Sequence, residues 1–183
     1  MTGVVGVAAV VGYLMGSASP AVLLARSRGV DLRRVGSGNP GATNVGRALG
    51  RRAGVLVAVL DVLKGLVPAV GFGLADHRAG LVAGLAAVLG HTTSPFLRGR
   101  GGKGVATAAG AILGTHPLWA PFVLLTWVAV LAVARWTALA SVCAALAALV
   151  VALVLREDVL WAAALASVVV VRHRANLARG RDG

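Results

Sequence analysis

Residues 136–155, WTALASVCAALAALVVALVL, contain no charged side chain over 20 positions. A helix that crosses the hydrocarbon core of a bilayer needs about 20 apolar residues, so this run is long enough to span one. Residues 3–25 and 79–97 are also free of Asp, Glu, Lys and Arg, and residues 53–75 contain a single acid and a single base. The sequence therefore predicts an all-α integral membrane protein with several transmembrane helices.

The composition agrees with this class. Hydrophobic residues make up 58% of the chain and charged residues 13%, whereas a soluble domain has about 25% charged residues. The length of 183 residues predicts a single domain over residues 1–183. The apolar runs are rich in Gly, Ala and Val, and small residues allow transmembrane helices to pack closely. We therefore expect a compact helix bundle.

Basic residues predict the orientation in the membrane. The net charge is +12, with seven basic residues in 26–52, three in 98–103 and four after Val171. In a soluble protein this charge would suggest nucleic acid binding, but here the positive-inside rule accounts for it, and no nucleic acid partner is expected. The rule places all three segments in the cytoplasm. It predicts an external N-terminus and a cytoplasmic C-terminus.

The number of spans depends on residues 104–134, which form an uncharged stretch of 31 residues. His116-Pro117 interrupts this stretch, and proline ends a helix near the residue that precedes it. A division there predicts about seven spans, with 104–115 and 159–171 as short or partial ones. The charge distribution permits five spans equally well, and either odd number keeps the basic segments on one face.

The first basic segment contains GSGNPGATN at residues 36–44. Its letters match a dinucleotide-binding pattern, but no strand precedes it, so a nucleotide fold is not expected. Glycines allow successive N–H groups to point at one anion, and short polar side chains add ligands. Thr43 or Asn44 is also a candidate cap for a helix that starts near Val45. The alternative is a glycine-rich turn beside arginines that the positive-inside rule explains. The candidate ligands are Ser37, Gly38, Asn39, Thr43, Asn44 and Arg47.

The second segment, GRGGKG at residues 99–104, is a glycine-rich loop that contains a lysine and precedes an apolar helix. It differs from a Walker A motif, since Leu97 occupies the first glycine position and Gly104 follows the lysine. We therefore expect phosphate binding without nucleotide or magnesium. His91 precedes the loop, and its sequence position permits either a functional role or a hydrogen bond at a helix end.

The third segment, RHRANLARG at residues 172–180, places His173, Asn176 and Arg179 along one face if it is helical. This face is a candidate polar wall for the same site. An ordinary basic tail is the alternative.

The chain has six acidic residues and no acidic cluster, so no metal or other cofactor is expected. It lacks the G-x-S-x-G serine elbow and the H-x4-D pair of acyl-CoA acyltransferases. Asp61 and Lys64 lie one helical turn apart in an apolar run, so we expect them to pair in the bundle interior.

Together the segments GSGNPGATNVGR, DVLKG, GHTTSPFLRGRGGKGVAT and RHRANLAR resemble the bacterial acyl-phosphate:glycerol-3-phosphate acyltransferases. These are integral membrane enzymes that make lysophosphatidic acid. The resemblance covers nearly the whole chain. It is weaker at Ala175, where many members have an acidic residue, and at Gly180, where a leucine is usual.

This resemblance implies acyl transfer from acyl phosphate to the sn-1 hydroxyl of glycerol 3-phosphate in the bacterial inner (cytoplasmic) membrane. The active site would face the cytoplasm, in contact with membrane lipid and without a cofactor. By resemblance Ser37, Lys103, His173 and Asn176 are the catalytic residues. The substrate-binding residues implied are Gly38, Asn39, Thr43, Asn44, Arg47, Gly101, Gly102, Gly104, Thr107 and Arg179.

A small transporter or binding protein for organic phosphates is the alternative, because its loops would have a similar composition. Many transporters contain internal repeats, and this sequence shows none.

Overall fold

A computed structural model describes residues 2–180, and within these limits the chain forms helices and loops and no β-strand. Arg181 and Asp182, which belong to the predicted basic tail, lie outside the described residues. Two single-turn 3-10 helices lie at Leu32–Arg34 and Pro95–Leu97. The α-helices between residues 2 and 180 are α1 (Thr2–Ser17), α2 (Pro20–Ser27), α3 (Ala42–Leu49), α4 (Arg51–Gly73), α5 (His77–Thr93), α6 (Val105–Thr115), α7 (Ala120–Ala134), α8 (Thr137–Leu155) and α9 (Val159–Arg179).

The helix boundaries follow the predicted apolar runs. The structure contains four segments that are long and apolar enough to cross a membrane, namely Gly3–Ser27, Arg51–Gly73, His77–Leu97 and Thr137–Leu155. The interruption at His116-Pro117 is present, since α6 ends at Thr115 and α7 begins at Ala120. The all-helical, multi-span class is therefore confirmed, whereas the number of spans and the orientation of the termini stay predictions.

The first apolar run, residues 3–25, lies in a segment long enough to span a membrane, as predicted, but it forms two helices. It breaks between α1 and α2 because Pro20 lies in the first turn of α2 and lacks an N–H. Ser19 caps α2 by accepting a hydrogen bond from the Val22 N–H at 3.3 Å. Serine and proline together thus start a new helix inside an apolar run.

Two polar side chains from elsewhere in the chain donate hydrogen bonds to the backbone at this break. Lys64 donates a hydrogen bond to the Ala18 carbonyl at 2.9 Å, and the Ser94 hydroxyl donates to the Ser17 carbonyl at 2.7 Å. Lys64 Nζ also lies 3.0 Å from Asp61 Oδ1, and both side chains are buried. The predicted interior pair is confirmed. It links α4 to the end of α1, where carbonyl groups lack helical partners.

Glycines allow the helices to approach closely, as the composition predicted. A Cβ atom on Gly16 would collide with the backbone of Ala87, which ties α1 to α5. A Cβ atom on Gly65 would collide with the Thr107 carbonyl, which ties α4 to α6. This packing gives a compact bundle.

Large apolar side chains cover the outside of the bundle, where Leu124 of α7 and Val154 of α8 are 62% and 74% exposed. Such a continuous apolar surface requires lipid around it. The chain is thus an integral membrane protein.

The fold gives the bundle two chemically distinct ends. Contacts among His77, His116 and Asp158 join the start of α5, the end of α6 and the start of α9 at one end. The basic segments lie at the other end.

Single cysteines in a Cys143→Ala background test the orientation. Ser27→Cys and Ala178→Cys lie at the basic end and should react with a membrane-impermeant maleimide only from the cytoplasm, whereas Glu157→Cys should react only from outside. All three positions are exposed. Labelling of all three cysteines from the same side would contradict the charge-based topology.

Candidate functional site

A pocket of about 270 Å³ lies at the basic end of the bundle. It brings together all three sequence segments, although its lining extends from Arg33 to Asn176, 143 positions apart in the sequence. The first segment contributes Ser37, Gly38, Asn39 and Pro40, the second Gly99, Arg100, Gly101 and Lys103, and the third Arg172 and Asn176, with Arg33 added from the 3-10 turn. The predicted convergence on one site is therefore present in the structure.

The first loop depends on glycine at two positions. Gly36 and Gly38 have φ values of +52° and +66°, a backbone region that other L-residues rarely adopt. The Gly38 N–H donates to the Val35 carbonyl at 3.0 Å and closes a turn. This turn presents Ser37 and Asn39 to the pocket.

Asn44 supports this loop from behind. Its Nδ2 donates to the Leu32 carbonyl at 3.1 Å, and its Oδ1 accepts from the Ser37 N–H at 3.2 Å. The side chain is only 1% exposed, so its amide is fully engaged within the protein. Asn44 therefore positions Ser37. It is not among the residues that line the pocket, and its role in substrate binding stays a prediction.

The predicted capping role of Thr43 or Asn44 is wrong. Helix α3 begins at Ala42, with Gly41 at the N-cap position and no side-chain cap. Thr43 and Arg47 are exposed on α3 and are not part of the pocket lining. Arg47 nevertheless lies close to the loop, since a Cβ atom on Gly36 would be 3.7 Å from its Cδ.

The glycines of the second loop have a different role from the predicted one. The Gly101 N–H donates to the Thr92 carbonyl at 3.2 Å, and the Gly102 N–H donates to the His91 carbonyl at 3.0 Å. These hydrogen bonds satisfy the last carbonyls of α5, so neither N–H is free for an anion. A Cβ atom on Gly101 would collide with the His91 carbonyl, and one on Gly102 with the His91 ring. Glycine is therefore required by close packing.

The available backbone donors lie one step further along the chain. Within residues 2–180, the N–H groups of Lys103 and Gly104 have no hydrogen-bond partner. Gly104 has φ +83° and is the N-cap of α6, whose first-turn N–H groups and helix dipole favour an anion. The anion-binding part of this loop is thus Lys103, Gly104 and the start of α6.

Arg172 holds the other side of the loop, a role that the sequence analysis missed. Its Nη2 donates to the Gly101 carbonyl at 2.8 Å and its Nε donates to the Gly102 carbonyl at 3.2 Å. In the sequence Arg172 is one of the four basic residues that follow Val171. Its position directly before His173, at the end of the apolar run, was the available signal.

The third segment is helical, as predicted, because α9 continues to Arg179. Asn176 lines the pocket, whereas His173 lies one turn earlier and is 3% exposed. Its Nδ1 lies 2.8 Å from the Val169 carbonyl, which can only accept, so Nδ1 carries the hydrogen and Nε2 is the free nitrogen. Burial lowers the pKa of His173 and nearby Lys103 and Arg172 lower it further, against the Val169 carbonyl, which raises it.

Thr107 and His91 lie behind the pocket. Thr107 is fully buried in α6, and within the described chain its hydroxyl oxygen has no hydrogen-bond partner. It is not among the residues that line the pocket, and its role in substrate binding stays a prediction. His91 lies beneath Gly102, with its Nδ1 3.7 Å from Asp61 Oδ1.

The pocket is strongly positive. Arg33, Arg100, Lys103 and Arg172 line it, and none of them forms an ion pair with an acidic residue in the described part of the chain. Burial lowers the pKa of Lys103, and the charges of Arg179, Arg172 and Arg47 lower it further. An anionic ligand would relieve this repulsion. The arrangement therefore suits a phosphate group.

Comparison with known proteins agrees with this chemistry. The family model described as glycerol-3-phosphate acyltransferase matches residues 6–183. The chain belongs to the glycerol-3-phosphate acyltransferase family. The resemblance noted in the sequence is thereby confirmed.

Relatives in this family cover nearly the full chain. A glycerol-3-phosphate acyltransferase of Geobacter sulfurreducens is 46% identical over 179 residues, which is 94% of this chain and 92% of the relative. One of Thermus thermophilus is also 46% identical, over 93% of this chain and 88% of the relative.

The fold matches solved structures as well. Two crystal structures of PlsY, an integral membrane glycerol 3-phosphate acyltransferase, each cover 96% of this chain and 90% of their own. The glycerol 3-phosphate form has a TM-score of 0.90 at 40% identity, and the lysophosphatidic acid form 0.87 at 38%.

A larger cleft of about 870 Å³ adjoins this pocket. The two share Arg33, Pro40 and Arg100 in their linings, so they are continuous. The rest of the cleft combines apolar and basic groups. It is lined by Val22, Ala25, Arg26, Gly29, Val30, Asp31, Leu32, Phe96, Leu97 and Arg98.

Gly102→Ala should destabilise the protein, because the new methyl group collides with the His91 ring. Gly71→Ala is the matched control, since a Cβ atom there, in the last turn of α4, meets nothing within 4 Å. That control should be neutral or stabilising by up to about 1 kcal/mol. Thermal unfolding in detergent compares the two. Equal melting temperatures for Gly102→Ala and Gly71→Ala would contradict the packing described for the loop.

Proposed function

We propose that this chain transfers an acyl chain from acyl phosphate to the sn-1 hydroxyl of glycerol 3-phosphate, giving lysophosphatidic acid and phosphate. The reaction takes place at the cytoplasmic face of the bacterial inner membrane. The observation that carries the proposal is the pocket itself, where Arg33, Arg100, Lys103 and Arg172 converge without an acidic residue among its lining side chains. Membership of the acyltransferase family supports it.

Both proposed substrates carry a phosphate, so the enzyme needs two neighbouring anion subsites. The smaller pocket suits glycerol 3-phosphate, because Ser37, Asn39 and Asn176 offer hydrogen bonds to hydroxyl groups beside the cations. The adjoining cleft suits the donor, because it combines arginines with apolar groups such as Phe96 and Leu97. Arg100 lines both and can contact either phosphate.

The transfer proceeds in one step. The sn-1 oxygen of the acceptor forms a bond with the acyl carbon, and the bond from that carbon to the phosphate oxygen breaks, so that phosphate leaves with the electron pair. Lys103 and the N-terminus of α6 stabilise the negative charge that develops. Holding both reactants in place can lower the barrier by about 7–11 kcal/mol.

A covalent intermediate is not needed, because acyl phosphate already carries a good leaving group. Cys143 cannot take part, since it lies in α8, which contributes no residue to the pocket or the cleft. Ser37 acts as a hydrogen-bonding group.

The hydroxyl proton needs an acceptor, and the acceptor's own phosphate is the better candidate. Its second pKa is about 6 by analogy with phosphorylated side chains, so it is largely dianionic at neutral pH. The lowered pKa of His173 makes its Nε2 a weaker base, although one that is neutral at pH 7 and able to accept a hydrogen bond. We assign His173 to orienting the acceptor.

Purified protein in detergent tests the reaction. Labelled acyl phosphate and glycerol 3-phosphate should give lysophosphatidic acid, independently of added magnesium. Glycerol in place of glycerol 3-phosphate, and acyl-CoA in place of acyl phosphate, should give little product. Failure to form any ester would contradict the proposed function and favour a phosphate transporter, whereas equal turnover with acyl-CoA would contradict the proposed donor.

The same assay tests for a covalent intermediate and identifies the base. Incubation with labelled acyl phosphate alone should leave the protein unlabelled, and a stable adduct on Ser37 would contradict direct transfer. His173→Gln keeps a hydrogen-bonding group but takes up no proton. Substantial turnover in this variant supports the substrate phosphate as base, whereas near-total loss with an unchanged KM for the acceptor would identify His173 as the base.

A further inference from the structure

Three connections at the end of the bundle opposite the pocket bring two histidines and an aspartate together. His77 Nε2 lies 2.7 Å from Asp158 Oδ2, and His116 Nε2 lies 3.0 Å from the same oxygen. One nitrogen or oxygen atom from each of the three side chains lies within 4.8 Å of the others. The acyltransferase pocket uses none of these residues.

The backbone at this cluster is unusual at Asp158. This residue precedes α9 and has φ +43°, in the left-handed region that non-glycine residues rarely adopt. Such a conformation persists only where the surroundings impose it. At Asp158 the conformation accompanies the contact of one carboxylate oxygen with both imidazoles.

The hydrogen bonds of His116 fix which nitrogen carries its proton. The Thr115 hydroxyl donates to the Ala111 carbonyl at 2.9 Å, so its oxygen accepts from His116 Nδ1 at 2.9 Å. In this tautomer Nε2 presents a lone pair to Asp158 Oδ2, which is also an acceptor. Two acceptors 3.0 Å apart need a positive charge between them, either a second proton on the imidazole or a metal ion.

The surroundings hold the His116 ring in place. The ring stacks on Trp119 with centroids 3.8 Å apart and an interplanar angle of 24°. Trp161 lies 5.4 Å away and is itself fixed by a hydrogen bond from Nε1 to the Leu81 carbonyl at 2.8 Å. A histidine with a hydrogen-bonded Nδ1 and an oriented ring matches the outer shell of metal-ligating histidines.

The cluster is open to solvent on the side of His77. The His77 side chain is 56% exposed and that of Asp158 28%, whereas that of His116 is 7% exposed. A metal ion could thus enter from the aqueous side and keep a water molecule as a fourth ligand.

We propose that His77 Nε2, His116 Nε2 and Asp158 Oδ2 form a binding site for a divalent transition-metal ion, best matched by zinc. Imidazole and carboxylate ligands suit Zn²⁺, which takes four ligands at about 2.0–2.2 Å. Ligand atoms on such an ion are about 3.3 Å apart. The two His–Asp distances, 2.7 and 3.0 Å, would therefore increase slightly, and the two imidazole nitrogens already lie within 4.8 Å of each other. The ion would join the three connections. It lies too far from the pocket to act in acyl transfer.

The test uses the full-length protein in detergent, stripped with a chelator and free of any affinity tag. Equilibrium dialysis against micromolar Zn²⁺, with bound metal measured by mass spectrometry, should give one ion per chain and a raised melting temperature. Co²⁺ in place of zinc should give the visible absorption of a tetrahedral complex. Absence of bound zinc and of the Co²⁺ spectrum in the folded wild-type protein would overturn the proposal and leave a shared proton as the cation.

Paired variants locate the ion. Asp158→Asn and His116→Gln should each lower the zinc affinity by more than about 10-fold, because loss of an outer-shell partner alone typically costs 10–100-fold. Glu157→Gln is the matched control, since it removes the same charge from the neighbouring position, which supplies no ligand atom. Retained acyl transfer shows that a variant is folded. Unchanged zinc binding in active Asp158→Asn would overturn the assignment.

Discussion

Repulsion among the cations of the pocket is the constraint on which the rest of the site depends. Arg33, Arg100, Lys103 and Arg172 line about 270 Å³ of space, and the pocket lining contains no acidic side chain to offset them. Burial and neighbouring arginines lower the pKa of Lys103, because a positive charge at this position is unfavourable. The fold must hold these charges together without a ligand, and an anion then releases the repulsion. This is why the site favours phosphates.

The membrane-embedded part of the chain provides the support that this arrangement needs. Gly101 and Gly102 pack directly on the end of α5, and Arg172 fixes their carbonyls from α9. Below them His91 approaches Asp61, whose partner Lys64 holds the break between α1 and α2. The buried ion pair thus lies in the same network of contacts as the loop. Breaking a buried pair by removing one partner is strongly destabilising, so the network also constrains the fold.

The sequence predicted those features that depend on local patterns. Apolar runs and the proline after His116 gave the helix boundaries, and the shared charge of three segments predicted that they meet at one end of the bundle. Hydrogen-bond directions were not predictable in the same way. Arg172 contacts Gly101 and Gly102 across about 70 residues, and no local pattern shows that these glycines turn their N–H groups toward α5. The cluster of His77, His116 and Asp158 was not predictable either, because its residues come from three helix connections that are distant in the sequence.

The central claim is that the cations of the pocket, Lys103 among them, bind the phosphate of glycerol 3-phosphate. Equilibrium binding of glycerol 3-phosphate to the purified protein, without a donor, tests it most directly. We expect saturable binding that inorganic phosphate competes away and that glycerol does not. Lys103→Ala should weaken it by about ten- to hundred-fold, because hydrogen bonds to charged groups contribute about 1.5–3 kcal/mol, whereas the exposed Arg52→Ala should not. Equal affinity of the wild-type protein and Lys103→Ala, or equal binding of glycerol, would contradict the account.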